Sequence, residues 1–164
     1  MKLYKLLEEL ENKEEEYKNY IEEHIKNTQK AWDLVQPKLK GEYKLSPEMK
    51  EKIDELIKSH DASKFSKEEF EPYRQYFYTK NNEAKNKEVF DKAWLHHYTL
   101  NKHHWQHWVG QDMPLEYIIE QLCDWKAMSI KFGDTPQAYY NKEKKNIKFS
   151  PETKKLVEKW IKIF

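Results

Sequence analysis

Three features of this 164-residue chain predict an all-α fold. It holds only three glycines, Gly41, Gly110 and Gly133, and each stands where a helical pattern stops, the usual place of glycine at a helix C-terminus. Apolar residues recur at spacings of three and four along most of the length, which is the period of an amphipathic helix. Alternation with period two is hard to find. Together these predict one helical bundle of about six to eight helices, a single domain over residues 1–164.

Taken in order, residues 2–12 read as a short charged amphipathic helix and 14–38 as a longer one, with the stripe Tyr17, Ile21, His24, Thr28, Ala31, Val35. Ser46-Pro47-Glu48 starts the next, with serine as N-cap and proline in the first turn. It carries Met49, Ile53, Leu56 and Ile57 and arrives at His60-Asp61. Ser66-Lys67-Glu68-Glu69 has the form of a capping box and opens a helix to about Tyr78. Residues 79–86 form a polar connection, followed by a long helix over 87–108. Pro114 opens a helix to about Phe132, and Ser150-Pro151-Glu152 begins the last one, residues 150–163.

Charged residues make up 36% of the chain and its mean hydropathy is −1.13, values that by themselves lean toward disorder. Six Trp, eleven Tyr and seven Phe argue for a folded domain, because they supply large, stiff apolar area. Thirty basic residues balance twenty-nine acidic ones, so the sequence carries no strong nucleic-acid signal. No run approaches the roughly 20 apolar residues of a membrane span, and the N-terminus lacks the apolar run of a signal peptide. One cysteine, Cys123, allows no internal disulfide and predicts a reducing, cytoplasmic setting.

The seven histidines fall in three places: His24, His60, and the cluster His96, His97, His103, His104, His107. Imidazole is the commonest transition-metal ligand near neutral pH. His60-Asp61 places a nitrogen and a carboxylate side by side at a helix end, where neighbouring side chains can turn toward one point; mid-helix they diverge by about 100°. Phe90, Trp94, His97, Asn101 and His104 recur at four, three, four and three, which puts His97 and His104 on one face with aromatic core positions. His96, Leu100, His103 and His107 form the neighbouring face, and both faces cannot serve one metal. The stripe with Phe90 and Trp94 is the one expected to point inward, leaving His96, His103 and His107 at the surface or behind the ligands. Asp124 lies in an apolar helix, where a carboxylate needs a cation. That cation is either a metal or a basic side chain such as Lys64 or Arg74.

The order His24, then His60-Asp61-Ala62-Ser63-Lys64, then further histidines, then Asp124 resembles the HD-domain superfamily of metal-dependent phosphohydrolases, over a core of about residues 14–140. Ser63 stands where that signature usually has glycine. The runs Asp61-Ala-Ser-Lys-Phe-Ser, Trp94-Leu-His-His, Asn101-Lys-His-His and Cys123-Asp-Trp-Lys-Ala-Met are also similar to a family of small phage and bacterial proteins of unknown function, over roughly residues 15–140.

The HD resemblance implies one or two divalent ions (Mn, Fe, Mg, Co, Ni or Zn) held by His24, His60, Asp61, His97, His104 and Asp124. His97 and His104 correspond to the two extra histidines of binuclear members, which lie further apart in sequence in that superfamily. It implies catalysis by Asp61, Lys64, His97 and His104, with Lys64 binding phosphate or pairing with Asp61, on a small phosphorylated substrate such as a nucleotide. Trp32, Trp105 and Trp108 are candidates to stack on a base. Two other functions fit the same residues: a di-iron oxygenase of HD type, and a non-enzymatic helical protein that binds a nucleotide or a partner protein.

Overall fold

The computed structural model describes residues 2–79 and 84–164, with side chains from residue 12 onward. Among the described residues it is all-helical, with seven α-helices and no strand: α1 (Lys2–Val35), α2 (Pro47–Lys58), α3 (Phe70–Phe77), α4 (Lys87–Leu100), α5 (Leu115–Phe132), α6 (Pro136–Glu143) and α7 (Pro151–Trp160). None of the helices is long and apolar enough to cross a membrane. By internal contacts the chain groups into two compact units, one of residues up to Glu23 with 61–100, the other of residues 24–60 with 101–164.

The larger unit holds an apolar core of Ala31, Trp32, Val35, Ile53, Ile57, Ile118, Ile119, Leu122, Val157 and Trp160, among others. Helix α5 contacts α2, α6 and α7. Three helices start on one device. Ser46, Thr135 and Ser150 accept a hydrogen bond from the backbone N–H three residues on, at 3.2, 3.1 and 3.1 Å, and a proline follows each cap. Two of these starts match the sequence expectation; Thr135-Pro136 carries the same signal and opens α6, a helix the periodicity did not reveal. Gly133 ends α5 in a left-handed turn (φ 77°), its N–H bonding Ser129 O at 2.8 Å. Trp32 is fully buried and its indole N–H donates to Asp54 Oδ1 at 2.5 Å. It is a core residue pinned to α2 and presents no face to a base.

The smaller unit is built on aromatic rings. Tyr17 lies 5.1 Å from Phe70 and 5.4 Å from Tyr78, and Phe90 stacks on Tyr76 at 4.3 Å and meets Tyr73 at 5.1 Å. Arg74 is fully buried and forks onto Glu71 at 2.9 and 2.7 Å, the bidentate geometry its guanidinium favours.

Three boundaries differ from expectation. The helices expected at 2–12 and 14–38 are one, α1, because nothing at their junction breaks a helix; Lys13 and Glu16 pair there at 2.7 Å. The side chains of 2–11 and the middle of the polar connection, residues 80–83, lie outside the described residues. The capping box at Ser66 does not form. α3 begins at Phe70, and Glu69 turns its carboxylate to His96 and His97 instead. Helix α4 stops at Leu100, not 108. The chain then turns, with His104 N–H donating to Asn101 O at 3.2 Å and the Trp108 indole N–H donating to Lys102 O at 2.6 Å.

Leu122 is fully buried at the centre of the α5 core. Leu122→Ala should lower unfolding free energy by about 2–5 kcal/mol, read as a shifted urea midpoint at unchanged slope. A loss below about 1 kcal/mol would show that this core does not carry the larger unit.

Candidate metal centre

His24, His60 and Asp124 come together within the larger unit. α1 turns His24 inward with Thr28, Ala31 and Val35, all buried. His60 sits two residues past the end of α2, 1% exposed. Asp124 lies in α5, half-buried. His24 Nε2 is 3.0 Å from Asp124 Oδ1 and 3.3 Å from His60 Nε2, and His60 Nε2 is 4.0 Å from Asp124 Oδ1. One ligand atom from each residue fits within 4.8 Å of the others. An ion bound at about 2.1 Å from each donor requires donors no more than about 4.2 Å apart, and all three separations meet that limit. The group can hold a divalent ion with little movement.

A second carboxylate stands beside it. Glu120 precedes Asp124 by one turn of α5, so both project from the same face. Its Oε1 is 3.0 Å from His60 Nδ1 and 3.1 Å from His103 Nδ1. His60, His103 and Glu120 form another group able to hold a metal ion, all buried. The His60 and His103 rings lie 4.4 Å apart, and the ring of half-buried His104 is tilted against His103 at 4.1 Å. Glu120 and His103 were not singled out from the sequence, yet a signal existed: Glu120 stands four residues before Asp124 in the same apolar helix. His103 gave no such signal, because its inward position depends on the chain leaving the helix after Leu100. His97 and His104 therefore do not share a helix face, and His103, expected at the surface or behind the ligands, is the buried member of the later pair.

The electrostatics fit ionised carboxylates among imidazoles. Burial alone would raise the Asp124 carboxyl, but the hydrogen bond with His24 and the nearby His60 and His103 outweigh it and hold it far below the carboxylate range. Burial opposes Glu120 in the same way, and His103 and His60 bring it below its ordinary value. Burial pushes the Cys123 thiol well up, so it stays a neutral core group.

The expected residues Asp61, Lys64 and His97 lie in the smaller unit. Asp61 takes a left-handed backbone (φ 56°), the one such non-glycine residue among those described. Aspartate tolerates this conformation better than most. Its Oδ2 pairs with Lys64 Nζ at 2.7 Å and its Oδ1 lies 3.3 Å from His97 Nε2. His97 Nδ1 is 2.7 Å from Glu69 Oε2, and Glu69 Oε1 is 2.8 Å from His96 Nδ1. Burial would lower the His97 pKa; its bonds to Asp61 and Glu69 outweigh that and raise it. His97 thus lies between two carboxylates, one facing each ring nitrogen. Glu69 is opposed by burial and still held low by His97 and His96. The hydroxyls of Tyr17 and Tyr73 are buried without hydrogen-bond partners, and burial with nearby Asp61 and Glu69 pushes both phenols up, keeping them neutral.

The chain belongs to the family of unknown function DUF5662, whose profile matches residues 13–163. Neither the curated proteins nor the solved structures give a match.

These shifts give the metal-free protein a defined pH profile. Asp124, Glu120 and Glu69 have folded values below their ordinary 3.8, 4.5 and 4.5, so their contribution is complete above about pH 4.5 and lost as pH falls through the folded values. His97 has a folded value above 6.5, so its contribution is complete below about pH 6.5 and lost as pH rises through the raised value. Urea midpoints across this range should peak between about pH 4.5 and 6.5. Asp124→Asn should flatten the acid limb and His97→Gln the alkaline one; an acid limb untouched by Asp124→Asn would refute the assignment.

Proposed function

We propose that this protein is a metal-dependent phosphohydrolase acting on a small phosphoester, a nucleotide being the first class to test. The observation that carries the proposal is the meeting of His24, His60 and Asp124. Two imidazole nitrogens and one carboxylate oxygen, from three separate segments, converge in the chain order that resembles the HD superfamily. A divalent ion held there would polarise a phosphoryl oxygen and acidify a water molecule. His24 and His60 would supply nitrogen ligands and Asp124 the compensating charge. Glu120 keeps His60 oriented from behind, as residues behind metal-ligating histidines commonly do. Asp124 is the ligand nearest solvent, so exchange of ligand or water would occur on its side.

The same donor set favours a second function. Two histidines and one carboxylate with open positions are also the ligands of non-haem iron oxygenases, and the HD resemblance includes di-iron members. The two readings part on the metal and on oxygen: an oxygenase would retain iron and change its absorption spectrum when oxygen is admitted.

Elemental analysis of purified protein should find a divalent metal that is lost in Asp124→Ala and in His24→Ala. Against a panel of nucleotides and phosphoesters, either change should reduce turnover by about 100-fold or more, the scale expected when an electrostatic catalyst is removed. Metal-free protein after reconstitution attempts, with phosphatase activity unaltered by Asp124→Ala, would end the hydrolase proposal.

A further inference from the structure

His60 belongs to two groups at once: with His24 and Asp124 through Nε2, and with Glu120 and His103 through Nδ1. A neutral imidazole has one N–H and one lone pair, so His60 can offer a lone pair to only one of them. A carboxylate oxygen accepts and does not donate. The nitrogen that faces Glu120 Oε1 at 3.0 Å therefore carries the proton, and Nε2, facing His24 and Asp124, keeps the lone pair. The same oxygen lies 3.1 Å from His103 Nδ1. Access points the same way. Glu120, His103 and His60 are 3%, 1% and 1% exposed, a sealed set, whereas the Asp124 side chain is 16% exposed.

We propose that Glu120 is the positioning residue of this centre. Through a single buried oxygen it fixes His60 as an Nδ1–H imidazole whose Nε2 lone pair faces His24 and Asp124. One ion is held by His24, His60 and Asp124, and Glu120 stays outside its ligand set. The placement of the ion rests on the metal reading above; the His60 tautomer does not.

Long-range proton–nitrogen NMR on the metal-free full chain, with the signal assigned through His60→Gln, reads the His60 tautomer directly. The His60 ring should be Nδ1–H in the natural protein. Glu120→Gln, which keeps an acceptor oxygen, should preserve it, and Glu120→Ala should release His60 into a mixture with the Nε2–H form. Zinc titration by calorimetry should give one ion per chain, bound about 10–100-fold more weakly in Glu120→Ala and less affected in Glu120→Gln. If Glu120→Ala does not fold, the natural protein and Glu120→Gln still decide the matter. An Nε2–H His60 in the natural protein, or two zinc ions of which Glu120→Gln loses one, would overturn the proposal. An Nδ1–H His60 without any zinc binding would remove the phosphohydrolase reading and leave the role of Glu120 in place.

Discussion

Two carboxylates one turn apart on α5, Glu120 and Asp124, set the terms for the larger unit. The helix is apolar enough to be drawn into the core by Ile118, Ile119 and Leu122, and it takes both acids with it. A carboxylate that leaves water costs several kcal/mol unless it meets hydrogen-bond donors or charge. The donors available are His24, His60 and His103, contributed by α1, the end of α2 and the turn after α4. The hydrophobic burial of one helix thus requires histidines from distant parts of the chain to gather on its polar face. Those histidines supply the acids' hydrogen bonds, and an ion added among them would supply further compensating charge.

The smaller unit meets a similar problem by a different route. Asp61 and Glu69 are buried and are bridged by His97, with Lys64 closing on Asp61. The group around Asp124 has its ring nitrogens His24 Nε2 and His60 Nε2 facing each other at 3.3 Å. Two imidazole nitrogens pointed at one another beside a carboxylate oxygen can each turn a lone pair to a shared cation.

Covering the interior with aromatic rings explains how a chain of such low hydropathy folds. Tyr17, Tyr73, Tyr76, Tyr78, Phe70 and Phe90 pack at 4.3–5.4 Å in one unit, and Trp32, Trp125 and Trp160 serve the core of the other. Each ring buries far more apolar area than an aliphatic side chain, so fewer apolar residues suffice. The remaining charge lies at the surface in exposed pairs such as Lys87–Asp91 and Lys92–Glu88, which contribute little to stability.

Helix identity, the serine–proline starts at 46 and 150, and the inward stripe that carries His24 were legible in the sequence, because they follow from spacings of three and four and from capping chemistry within a single segment. Asp124 was legible for the same reason, as a charge in an apolar helix. Local pattern failed where a tertiary partner outbid it. Glu69 left its capping box for two histidines, and the helix after Lys87 stopped at Leu100, breaking the alignment of His97 with His104 and turning His103 inward. By itself the sequence determined which segments are helical and which histidines and acids are available. The tertiary structure decided which of them meet, because a buried carboxylate selects its partners by distance in space, and residues 24, 60, 103, 120 and 124 become neighbours only once α5 is packed.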